Sequence, residues 1–245
     1  MRTRVVITTA AALLALAAAP VGAADEPSAG RLGKAGVLRR SDLPRGFTRH
    51  RRDAADDALT GVAECSAIDP TPTRASVDRR KSAAYVADVP AVDLSGTESS
   101  AEMRAVDTVF VYESPDAAAM ALTGFDPLSC ARAVAPATLE RAGLLLTPTR
   151  EGGTDNPLVL DLAADVDADA VLQASSYFTG YPPGVDPATL TATSPEVKSF
   201  SARFVAVRVG RAVVVVEVSS AGGLLADREV ERTVQRVTRR VAHAS

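Results

Sequence analysis

Valine takes over the last third of the chain in two different rhythms. Val205, Val207 and Val209 alternate with Phe204, Ala206 and Arg208. Gly210-Arg211 interrupts, and a run from Val213 to Val216 follows. Period-two alternation marks a strand, and a glycine-led pair between two such runs marks a tight hairpin, here Phe200–Val209 and Ala212–Val218. Further on the period changes. Val230, Val234, Val237 and Val241 recur at spacings of four, three and four, a single apolar stripe on a helix. Acids (Asp227, Glu229, Glu231) lie early in that helix and bases (Arg236, Arg239, Arg240) late, which complements its dipole.

Weaker patterns fill in the rest. Extended chain is expected at Ser82–Val89, Val106–Tyr112 and Val171–Phe178. Ser114-Pro115-Asp116 is a helix start, with a capping hydroxyl, proline at the first position and an early acid, and Ala117 to Leu122 follow. Asp126-Pro127 repeats that signal before Leu128 to Ala133. Asp42-Leu43-Pro44-Arg45-Gly46-Phe47 reads as a turn that needs a positive dihedral at glycine. The expected architecture is α+β: an antiparallel sheet with helices packed on one face.

The amino terminus has another character. Arg2 and Arg4 precede an apolar run from Val5 to Ala19, then Pro20 and the small residues Val21 to Ala24. That order of charge, apolar core and small exit is a secretory signal peptide, with cleavage expected after Ala23. Residues 24–40 are small, polar and glycine-containing, and are expected to be a flexible segment before one secreted domain, 41–245. With the leader removed, no membrane span is expected.

Export changes how the two cysteines read. In an oxidising compartment Cys65 and Cys130 are expected to form one disulfide, closing a 65-residue loop worth on the order of 4 kcal/mol in the chain-entropy model. Without Arg2 and Arg4 the chain carries 25 bases against 30 acids, a balance that argues against general binding to nucleic acid. Basic clusters at Arg39-Arg40, Arg49-His50-Arg51-Arg52 and Arg79-Arg80-Lys81 read as solvated surface.

The chemical inventory is thin. His50 and His243 are the only histidines, one in an arginine cluster and one beside the carboxy terminus, poor places to hold a catalytic base. No nucleophile-elbow pattern occurs, and Gly152-Gly153 and Gly222-Gly223 lack the lysine and spacing of a phosphate loop. Asp165-x-Asp167-x-Asp169 copies the first ligands of a calcium loop, but Ala170 and Ser176 stand where that loop needs glycine and a bidentate acid. The pattern alone does not decide whether that stretch binds calcium. No catalytic residue, metal or cofactor is expected. Tyr177, Phe178 and Tyr181 form an aromatic shoulder beside a proline-rich loop and are the candidate ligand-binding residues.

Taken in order, Leu43-Pro44-Arg45-Gly46-Phe47, then Val109-Phe110-Val111-Tyr112-Glu113-Ser114 before an alanine-rich helix, Cys130, and the Val207-Arg208-Val209-Gly210-Arg211 hairpin before a final helix resemble one group. It comprises exported actinobacterial proteins related to the extracellular sensor domain of PknH-type mycobacterial receptor kinases. The resemblance implies an α+β domain with a concave cleft between sheet and helices, and a non-enzymatic sensor-like or ligand-binding role in the cell envelope. The chain departs from that group. It has neither kinase domain nor membrane helix, and Asp126-Pro127 stands near where a tryptophan is usual. A structural protein that scaffolds envelope partners is the alternative reading, and a hydrolase with an unseen carboxylate pair the third.

Overall fold

The computed structural model describes residues 27–50, 76–92, 98–125, 145–146, 168–181, 184, 186, 198–221 and 227–245. Eight antiparallel strands form one sheet: β1 (Thr48–Arg49), β2 (Asp78–Lys81), β3 (Tyr85–Val92), β4 (Glu98–Val111), β5 (Leu145–Leu146), β6 (Ala170–Tyr181), β7 (Lys198–Val209) and β8 (Ala212–Ala221). Their spatial order is β1-β3-β4-β8-β7-β6-β5, and β2 pairs with the far end of β4 beside β3. Among the described residues three helices accompany them: α1 (Ala29–Gly36), α2 (Pro115–Thr123) and α3 (Asp227–Ala244), with a 3₁₀ turn at Arg40–Asp42. The α+β architecture is as the sequence implies.

The hairpin forms where the valine pattern puts it. Val209 lies opposite Ala212, and Gly210 takes the left-handed dihedral that closes the turn (φ 55°). Asp169 helps hold it, its Oδ2 accepting from the Gly210 N–H at 2.6 Å while Arg208 lies 3.3 Å away. Gly46 likewise has a positive φ, 102°, in the turn after Pro44. Ser114 caps α2, its hydroxyl accepting from the Ala117 N–H at 3.1 Å.

Helices α1 and α3 cover one face of the sheet. All four valines of the α3 stripe are completely buried, packed on Val109, Val205, Val207, Val214 and Val216. Helix α2 packs on β7 and β8, and its buried residues Ala118, Ala121 and Leu122 do not belong to the cluster that α1 and α3 share with the sheet. The cause is visible in the strands themselves. Val106 and Phe110 are as buried as Ala105 and Val109, and Val213 to Val216 are buried without interruption. A strand apolar on both faces needs a layer on each.

A second correction concerns the segment before residue 41. Residues 29–36 form a helix, not a flexible arm, with Leu32 and Leu38 both 1 % exposed. Glycine makes this seat possible. A Cβ on Gly36 would meet both Val109 methyls at 2.8 Å, and one on Gly33 would meet the Asp78 carboxylate. The bare backbone of α1 can therefore sit directly on the strands.

Cys65 and Cys130 both lie outside the described residues, and the structure lends the bond between them no support. The expected helix at 128–133 also lies outside them.

Candidate functional site

Where β2 gives way to β3, the edge against β4 carries an extra residue. Lys81 lies opposite Thr108 and Tyr85 opposite Ala105, so residues 82–84 face only two partners. This is a β-bulge, a device that re-aims side chains. It surrounds Asp107. The Ser82 N–H donates to the Asp107 carbonyl at 3.1 Å, and the Asp107 N–H donates to the Ser82 hydroxyl at 2.9 Å.

The Asp107 side chain enters the layer between the sheet and the amino-terminal strap, residues 27–47. Its Oδ2 accepts from the Leu38 N–H at 2.9 Å, across 69 residues of chain. Asp107 is 1 % exposed, and its Oδ1 has no hydrogen-bond partner. Burial pushes the carboxyl up to about 7, because a charge removed from water is costly. The Leu38 N–H, the Ser82 hydroxyl and the positive charge of Arg240 all work against that rise, and Asp42 adds to it.

A second acid from the strap completes the cluster. Asp42 is 3 % exposed; its Oδ2 accepts from the Arg39 N–H at 2.7 Å, and its Oδ1 is paired with Arg240. Arg240, late in α3, also donates from Nε to the Ala35 carbonyl at 3.0 Å and from Nη2 to the Val37 carbonyl at 2.9 Å. One turn earlier Arg236 donates to the Asp42 carbonyl at 3.0 Å. Two arginines four residues apart on one helix face thus clasp the strap. Arg240 satisfies the last carbonyls of α1, which have no partner inside their own helix.

This cluster can bind a proton and can hold the strap, but it cannot reach a dissolved substrate, since both acids are buried. Asp107, Asp42, Ser82 and Arg240 were not among the residues singled out from sequence. Asp107 did leave a trace: it is a lone acid inside Val106-Asp107-Thr108-Val109-Phe110, an otherwise strand-like run.

The residues that were singled out are scattered. Tyr177, Phe178 and Tyr181 all lie on β6, facing Ser201, Phe200 and Leu145 in register. His50 is exposed and joins β3 through its own N–H, which donates to the Ala84 carbonyl at 2.8 Å; His243 is exposed at the end of α3. Asp169 belongs to the hairpin, while Asp161, Asp165 and Asp167 lie outside the described residues. Among the described residues no group of three or more acids, histidines and cysteines gathers as a metal site. Nor, among them, is any helix long and apolar enough to cross a membrane.

Comparison with known proteins gives a distant fold likeness. No protein family and no curated protein matches the chain. Among solved structures it is similar to the extracellular domain of PknH from Mycobacterium tuberculosis, at 9 % identity and a TM-score of 0.32, over 89 % of this chain and 96 % of that one. A likeness at that level carries no argument about activity.

Proposed function

We propose that this chain is an exported recognition domain of the cell envelope, sensor-like in that it acts by binding and not by catalysis. The observation that carries the reading is a segregation of charge. The strap with β1 (residues 27–50) and α3 (227–245) hold eleven lysines and arginines against four acids, although the whole chain has 27 bases and 30 acids. Charge collected on one layer, and away from any group poised for chemistry, suits a surface that meets a partner. Among the described residues the one strongly shifted carboxyl, Asp107, supports the same view, because it is sealed behind the strap. Tyr177, Phe178 and Tyr181, all on β6, are the candidate contacts for a small ligand.

The test is a thermal-shift screen of the exported chain against lipid, glycan and protein fractions of the envelope. A ligand present at about 100 times its Kd stabilises by about 2.7 kcal/mol, a rise in Tm of roughly 5–10 °C for a chain of this size. A shift with one fraction supports the reading. Absence of any shift, or turnover of a fraction's components, overturns it.

A further inference from the structure

Resting on that reading, we infer that the strap and α3 together form a docking face for a bilayer rich in anionic phospholipid. Arg31, Lys34, Arg39 and Arg45 on the strap and Arg228 and Arg239 on α3 are all exposed, and none is ion-paired among the described residues. Two of the acids in this layer are already engaged. Asp42 is buried against Arg240, and Glu229 is paired with Arg232 at 3.0 Å.

The shape of the charge selects the partner. A small anion is held by several donors converging in a concavity, whereas here single guanidinium and ammonium groups are spread along α1 and an 18-residue helix roughly 27 Å long. Spread, unpaired charge matches a plane of phosphate headgroups, each base near such a surface adding attraction that salt screens. Arginine also suits phosphate by geometry, offering two parallel N–H donors.

Orientation follows from the remainder of the chain, which carries 16 bases and 26 acids. A molecule basic on one layer and acidic elsewhere turns its basic layer towards an anionic plane. The clasp by Arg236 and Arg240 keeps the strap, and with it four of the six charges, on the same layer as α3.

The experiment is flotation of the exported chain with large unilamellar vesicles. Neutral phosphatidylcholine is compared with a mixture containing one third phosphatidylglycerol, at low and at raised salt, with isolated cell-wall polymer as a parallel arm. The expected result is binding to the phosphatidylglycerol vesicles alone, reversed by salt. The Arg31→Glu/Arg45→Glu/Arg239→Glu triple variant should bind roughly a hundredfold more weakly. These side chains make no described contact, so an unchanged melting curve certifies that the variant is folded. Salt-resistant binding to neutral vesicles, or unchanged binding by the triple variant, overturns the inference. Binding to wall polymer but not to vesicles overturns the bilayer while leaving recognition intact; binding to neither also overturns the bilayer, and the thermal-shift screen with protein fractions then decides recognition separately.

Discussion

Two buried acids lie in the same layer and solve the same problem differently. Asp42 belongs to the strap and meets a cation, Arg240, as well as the Arg39 N–H. Asp107 belongs to the sheet and has one backbone donor on Oδ2 and nothing on Oδ1. The first arrangement joins two elements by charge. The second leaves a carboxyl whose own proton is the cheapest way to remove its charge, hence the midpoint of about 7. The difference teaches that this layer is fastened by Arg240 and made pH-sensitive by Asp107. The two roles can be broken separately.

The largest effect should come from Arg240→Ala. It strands the Asp42 carboxylate in the interior and frees the Ala35 and Val37 carbonyls. Loss of one member of a buried pair costs about 3–5 kcal/mol. Urea unfolding at neutral pH should show that loss, whereas a loss below 1 kcal/mol would mean that the clasp is decorative. The same variant should raise the Asp107 midpoint further, because Arg240, after the Leu38 N–H and the Ser82 hydroxyl, helps to hold it down.

Next in size is the dependence of stability on pH. The folded midpoint of Asp107, about 7, lies above its ordinary value of 3.8, so between those values the folded protein keeps a proton that the unfolded chain has released. Stability present in full below pH 4 is therefore lost as pH rises towards 7, on the order of 4 kcal/mol over the window, and levels off above it. Asp107→Asn should remove that component and leave the rest of the profile in place. Identical slopes for the two proteins in urea unfolding from pH 4 to 8 would contradict the assignment.

The smallest effect concerns the seat of the strap. Gly36→Ala sets a methyl 2.8 Å from both branches of Val109, a short side chain on a central strand that has little room to yield. Overpacking of this kind costs about 1–3 kcal/mol, partly offset by about 1 kcal/mol of gained helix propensity. A fall of a few degrees in Tm is expected. A rise would show that α1 does not rest on Val109.

Much of this fold was legible because it rests on local periodicity. The β7–β8 hairpin, α3 and the start of α2 depend on residues within a few positions of one another, such as Gly210 after Val209 or Ser114 before Pro115. Three features were not legible. The first half of β4, Glu98 to Ala105, is polar in sequence and is a strand because β3 and β8 flank it. Helix α1 is rich in glycine, which reads as flexibility when seen alone and as close packing once Val109 and Asp78 are beside it. The candidate site is the extreme case: Leu38 meets Asp107 across 69 residues, and Arg240 meets Asp42 across 198. No spacing rule spans such distances.

The central claim is that residues 29–45 form a fixed layer of the domain, latched through Asp42, Asp107 and Arg240. Native-state hydrogen exchange at the Leu38 and Arg39 amides, the donors to the two acids, tests it most directly. The account predicts protection comparable to that of Val214 and Val216 in the sheet. Exchange at the rate of an unstructured peptide, while the sheet stays protected, would contradict it.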